Sequence, residues 1–423
     1  MKKTKFLVLA MMSTLTLVGC GGGNSSTDKL PSGGNEVDLK EDTGVETLRG
    51  CVANAREAYA DKDLTSASLK SKTSGGLGLD VKASTIIGDI ALKLDAKDLG
   101  LETEASVAKS DKGNVDAAVK ASTTGGSVAL SGSLPKELDL TAIMTGKPSE
   151  KPVEYVSFSG NVDLKGAKAN AYLNENKAYV DYSGNEAVVG RVDTFLNGLY
   201  GQLKDSALGM VFSLLDDFEF FNEDKFIFSE LYAKEDSKIF FDLGNPVVWP
   251  EMPEQSEEEK EAIDTVVNTI VEFAKEDLGL TFKTYSGKGF GFQFALSKEG
   301  IMTYINNNVD KEEFNTEAFD KYLKKLSLNA AVLFDSKALL QSVGFSLDVE
   351  AKLDEFPDVG EAAEMVKSLV KSFEATVSLK ASESLEFKWN SGKVSFPSFD
   401  GYVEKQLPQP EEDGGTEDEG QGE

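Results

Sequence analysis

Residues 89–98 read DIALKLDAKD, and the character of the side chains alternates. Ile90, Leu92 and Leu94 fall on one face of an extended chain, and Asp89, Ala91, Lys93 and Asp95 fall on the other. A helix would scatter these residues around its circumference. The period of two predicts a β-strand in a sheet with one apolar and one wet face.

The same alternation spreads outward on both sides. SASLKSKTSG (66–75), LGLDVKAS (77–84), GLETEASVAKS (100–110), NVDAAVKAST (114–123) and SVALSGSL (127–134) are punctuated by Gly, Asp-Lys or Ser-Gly. EYVSFSGNVDLKG, AKANAYLNEN and KAYVDYSG carry the pattern to about residue 184. Successive short strands with short turns imply an antiparallel meander, because parallel strands need long crossovers. The fold class expected is α+β and mainly antiparallel: a large curved sheet or open half-barrel, capped by several amphipathic helices.

The helices have their own signatures. One is expected near Val45 to Ala60, around Leu48, Cys51 and Val52. Val192 to Leu215 shows apolar residues at helical spacing, from Phe195 through Leu199 and Leu203 to Leu215. A Phe-rich stretch follows up to Phe241, then the Pro-rich NPVVWPEMPEQ (245–255), which breaks regular structure. Ser256 with Glu259 forms a capping box for a helix through Phe273. Strands return at LTFKTYSG (280–287) and GFGFQFALS (289–297), followed by helices at 298–307 and 311–324, the second opened by Asp310 with Glu313. LSLNAAVLFDSKALLQSVGFSLDVEAKL (326–353) reads as two strands around Asp335-Ser336-Lys337. A helix at 358–373 and a long strand at 373–389 complete the order.

The N-terminus decides location rather than fold. Lys2, Lys3 and Lys5 precede an apolar run from Phe6 to Val18, and Gly19-Cys20 follow. This is the layout of an export signal, too short to span a membrane comfortably. Leu17-Val18-Gly19-Cys20 resembles the bacterial lipobox. The resemblance implies cleavage before Cys20 and lipid attachment to its sulfur. Two acyl chains on one cysteine hold a protein stably at a membrane. The expected location is therefore the bacterial cell envelope, on its extracytoplasmic face.

The expected organisation has four parts: a signal peptide at 1–19, a flexible tether at 20–44, a β-rich body at 45–403 and an acidic tail at 404–423. The body is one large domain, or two units joined near 246–253. The tether is rich in Gly, Ser and Asn, and the tail is Gly-rich and acidic with no large apolar residue after Leu407. Cys51, the second of the chain's two cysteines, has no partner once Cys20 is acylated, so it reads as a small buried hydrophobe.

Composition narrows the chemistry. The formal net charge is −28, which repels phosphate backbones and argues against nucleic acid as a partner. The chain has no histidine, so Ser-His-Asp and Cys-His catalytic arrangements and His-ligated zinc cannot be built. No GxxxxGK[ST] loop occurs, and Gly287, Gly289 and Gly291 sit in an alternating strand instead of a strand-to-helix turn. Ser106–Lys109, Ser133–Lys136 and Ser368–Lys371 have SxxK spacing without the partner motifs of serine acylases. No catalytic residue, metal ligand or cofactor is expected, and the protein reads as a non-enzyme.

The order of a leading helix, a long meander, late helices and returning strands resembles the LolA/LolB and LppX-type lipoprotein fold, with 326–353 closest to its strand–turn–strand repeats. That resemblance implies a lipid or other apolar ligand held between sheet and helices. The alternative is a structural or adhesive surface lipoprotein acting through protein–protein contacts.

Overall fold

The structure is a computed structural model. It describes residues 28–406 apart from 61–62, 207–208, 210–214, 216–217, 223, 251–256, 276–278, 309–315 and 356–368. The segments assigned to the signal peptide, to Cys20 and to nearly all of the acidic tail lie outside the described residues. So do Ser256 of the first capping box, Asp310 and Glu313 of the second, and most of the helix expected at 358–373.

In chain order the strands are β1 (Asn35–Glu36), β2 (Ser66–Thr85), β3 (Gly88–Lys109), β4 (Val115–Pro135), β5 (Tyr155–Asp163), β6 (Lys168–Asn174), β7 (Lys177–Asp181), β8 (Phe221–Asn222), β9 (Lys225–Phe226), β10 (Lys238–Asp242), β11 (Leu280–Thr284), β12 (Phe290–Ser297), β13 (Leu323–Phe334), β14 (Leu340–Leu353), β15 (Val370–Trp389) and β16 (Val403–Glu404). The helices are α1 (Asp42–Tyr59), α2 (Leu140–Thr145), α3 (Glu186–Leu203), α4 (Phe228–Lys234), α5 (Glu257–Lys275), α6 (Lys298–Asn308) and α7 (Thr316–Tyr322).

All strands except the small β8–β9 hairpin belong to one open 14-stranded sheet, ordered β1-β11-β12-β13-β14-β15-β2-β3-β4-β6-β7-β10-β16, with β5 also paired to β4. Two meanders make it, β2 to β10 and β11 to β15. They join where β15 pairs antiparallel with β2 from Trp389↔Ala67 to Val370↔Thr85. Among the described residues every strand pairing is antiparallel except β10–β16, which is parallel. The outer edges end in the two-residue strands β1 and β16. Edges this short offer little template for another chain.

The strands are longer than their turn signals suggest. SASLKSKTSG and LGLDVKAS are not two strands but one, β2, 20 residues long. The segments at 89–98 and 100–110 likewise fuse into β3, and those at 114–123 and 127–134 into β4. The glycines between them are bends within strands, not reversals. The β3–β4 register is irregular between Lys97 and Leu101, Asp98 has φ 49°, and Gly126 has φ 132°. A Cβ on Gly126 would lie 2.9 Å from Leu99 Cδ2, so only glycine fits this conformation and this approach.

That irregularity changes which side chains share a face. Lys70 pairs with Glu104, so even residues of β2 and β3 share a face in the first half. Beyond the bend Ser84 bonds Asp89, so even residues of β2 now share a face with odd residues of β3. The one-residue slip keeps Leu77, Leu79 and Val81 on the same face as Ile90, Leu92 and Leu94. The apolar side survives the bend because β3 absorbs an extra residue.

Residues 28–44, expected as tether, lie against the sheet as far as they are described. The Leu30 N–H donates to Gln293, β1 pairs with β11, and Leu39 is buried. Two apolar clusters cover the ends of the apolar face. At one end α1 and α5 bring Leu48, Ala55, Val267 and Val271 against Phe282, Phe290 and Ala338. At the other, Leu199 and Leu203 of α3 pack with Phe158 of β5 beside Leu92, Leu130 and Leu134. The helix expected at 192–215 begins earlier, at Glu186, and its described part ends at Leu203.

On the opposite face the C-terminal segment forms an aromatic clasp. The Phe399 ring stacks on Tyr179 at 3.7 Å, and Phe399 and Phe396 meet Tyr172 edge-on. Burial and the nearby Asp181 carboxylate push the Tyr402 hydroxyl up to about 12.

Candidate functional site

The candidate site lies on the apolar face of the central strands, between the two helix-covered ends. Registered pairs define its rows. Leu326 faces Val349, Val349 faces Leu379, and Leu379 faces Leu77. The next row carries Ala351, Val377 and Leu79. None of these side chains is buried, and Leu77 is 37% exposed, whereas Phe282 and Phe290 under the helices are 2% and 1% exposed. The same alternation that builds a core at the ends therefore leaves a trough of half-covered leucine and valine in the middle. Four strands, β13, β14, β15 and β2, span it, on the order of 15 Å at the usual inter-strand spacing.

A polar island interrupts this face. Glu383 faces Phe345 of β14 on one side and Thr73 of β2 on the other. Thr73 across from it and Ser71, which bonds it, are both buried. Burial pushes the Glu383 carboxyl above the ordinary carboxylate range, and a hydrogen bond from Ser71 opposes this in part. Its Oε1 is buried and has no hydrogen-bond partner among the described residues.

The other face of the same strands is wet. It carries ion pairs between neighbouring strands, among them Lys70–Glu104 at 2.7 Å, Lys325–Asp348 at 2.6 Å and Lys352–Glu374 at 2.8 Å. A depression of about 370 Å³ opens where β15, β2 and β3 meet, lined by Gly78, Asp80, Lys93, Asp95, Lys97, Thr376 and Ser378 together with Leu79 and Leu94. Its polar lining does not suit an alkyl chain.

The remaining singled-out residues are structural. Cys51 is half-buried with Val45 and Val52 beside the α1–α5 cluster, and burial pushes its thiol up, away from thiolate reactivity. In the Phe-rich region Phe221 is buried, while Phe218 and Phe220 stack and Phe218 stays half-exposed. Gly287 and Gly289 precede β12 and lie in the β11–β12 connection, so of the three glycines only Gly291 is in the strand. Among the described residues, no group of three or more Asp, Glu or Cys is placed to hold a metal ion. No described helix is long and apolar enough to cross a membrane.

Sequence reasoning missed Glu383. The available signal was its place in SLKASESLEF, where an acid stands in the apolar phase of the alternation between Ala381 and Leu385.

Comparison with known proteins adds no family. No family model and no curated protein matches the chain. Solved structures include two distant β-barrel matches. One is the InvG secretin domain β-barrel of the Salmonella injectisome, at 8% identity over 78% of this chain and 64% of that one, with a TM-score of 0.13. The other is a Pseudomonas aeruginosa FadL homologue, at 8% identity over 78% of this chain and 91% of that one, with a TM-score of 0.15. The chain thus spans less than two thirds of the secretin chain it matches, and likenesses this slight carry no argument about fold or function.

Proposed function

We propose that the protein is an envelope lipoprotein, held at a membrane through Cys20, that binds a lipid or other apolar ligand in the central trough. The carrying observation is the half-covered apolar face at Leu77, Leu79, Leu379 and Val349, which lies between two ends of the same sheet that helices do cover. An apolar surface that the described residues leave half-covered on an otherwise acidic protein gains most from an apolar occupant. The lipobox-like LVGC supports the anchor, and the sequence's resemblance to the LolA/LolB and LppX-type proteins supports the ligand class.

Two measurements test the reading. Protein purified from its native envelope carries lipid in a fixed molar ratio on extraction and mass spectrometry. A lipid-free preparation that also fails to take up an apolar dye overturns the ligand. Cys20→Ser releases the protein from membranes, and unchanged retention overturns the anchor.

A further inference from the structure

Glu383 stands out among the acids of the central strands. Asp348, Glu374, Glu102 and Glu104 each pair with a lysine on the wet face. Glu383 lies on the apolar face, where alternation places it in line with Leu379, Ala381 and Leu385. It faces Phe345 on one side and Thr73 on the other, and no described residue forms an ion pair with it. Ser71 satisfies part of the carboxylate, while Oε1 is buried without a donor. A buried carboxylate oxygen in this state calls for an incoming hydrogen-bond donor. Next on the same face comes the small, buried Ala381, and the half-covered row begins at Leu379. From Glu383 past Leu379 to Val377 the strand advances about 20 Å, enough to lay out a long alkyl chain.

We propose that Glu383 is the headgroup contact of the trough, and that the ligand is a long-chain amphiphile whose head donates hydrogen bonds, an amine or a hydroxyl. The inference rests on the apolar-ligand reading above and adds the chemistry of the head. A carboxylate head is disfavoured at this point because it brings acceptors to an acceptor. Thr73 across from the carboxylate and Ser71 bonded to it are both buried, so the head meets a small polar floor and the tail meets leucine and valine.

The test uses the chain from Gly21 to Glu423, stripped of lipid and loaded with the apolar dye N-phenylnaphthylamine. Hexadecylamine, hexadecanol and hexadecanoate, which share one tail length, then compete for the site. The amine and the alcohol should displace the dye about tenfold more effectively than the carboxylate. Glu383→Leu should bind the dye as before and lose that ranking. Glu383→Gln should keep the alcohol and lose the advantage of the amine, and it serves as the second variant if the leucine chain does not fold. Equal competition by all three heads on the unaltered chain overturns the headgroup role and leaves the trough standing. So does a ranking that survives both substitutions. Failure of the dye to bind the unaltered chain overturns the trough, and this inference falls with it.

Discussion

The covered end of the sheet and its open middle are built from the same kind of strand. At the covered end Phe282, Phe290 and Phe292 project toward α1 and α5 and close into a tight core. In the middle Leu77, Leu79 and Leu379 project to the same side, and none is buried. Alternation thus fixes which side of a strand is apolar, but not whether anything covers it. Covering depends on helices that arrive from distant parts of the chain, residues 42–59 and 257–275 in this case.

Truncation should separate the two regions most sharply. Phe282→Ala removes a fully buried ring and should cost about 3–5 kcal/mol in urea denaturation, whereas Leu79→Ala in the trough should cost about 1 kcal/mol. Equal costs would mean that the middle is as closed as the end. Next in size is the far covered end. Asp193 of α3 is buried and accepts hydrogen bonds from the Phe228 and Ser229 N–H groups, at 2.9 and 2.8 Å, and from the Ser229 hydroxyl. It caps α4 from outside that helix, whose own N-terminal Ile227 offers no side-chain acceptor. Asp193→Ala should cost about 1–3 kcal/mol. Gly126→Ala strains the bend that keeps the apolar phase continuous and should cost about 1–3 kcal/mol, with a loss of dye binding larger than stability alone explains.

The smallest effect is a pH dependence that belongs to the trough. The Glu383 carboxyl is pushed up from its ordinary value of 4.5 by burial. In the ligand-free protein the folded state therefore holds its proton more tightly than the unfolded chain does. Stability falls as pH rises through the interval between the unfolded and folded values, and the full penalty is present above it. Glu383→Gln should stabilise the ligand-free protein at neutral pH, and the gain should vanish below about pH 4, where both states are protonated. A gain that persists at acid pH would show that the side chain matters through packing instead of charge. Cross-strand pairs such as Lys70–Glu104 are exposed, and Lys70→Met should leave the urea midpoint unchanged within error.

Much of this architecture is legible in short stretches. DIALKLDAKD and its neighbours specify extended chain with one apolar face, and they lie in an open, largely antiparallel sheet carrying helices. The α1 helix and the two strands around Asp335-Ser336-Lys337 fall where their patterns place them. The glycine signals read as turns because Gly-Gly and Asp-Leu-Gly have the same local chemistry in a reversal and in a bend. Only the neighbouring strand distinguishes the two, by continuing to pair on both sides of the break.

The sequence by itself determined the alternation, the acidity, the lack of histidine chemistry and the LVGC motif, because each is a property of adjacent residues. Tertiary structure decided three further things. It joined residues 66–85 to 370–389 across nearly the whole chain, and it let β3 absorb one residue so that the apolar faces stay aligned. It also placed Glu383 on the apolar side with one buried oxygen that no described residue hydrogen-bonds. Each of these is a relation between segments far apart in sequence, set by register and by which helix reaches which part of the sheet, and no local pattern encodes it.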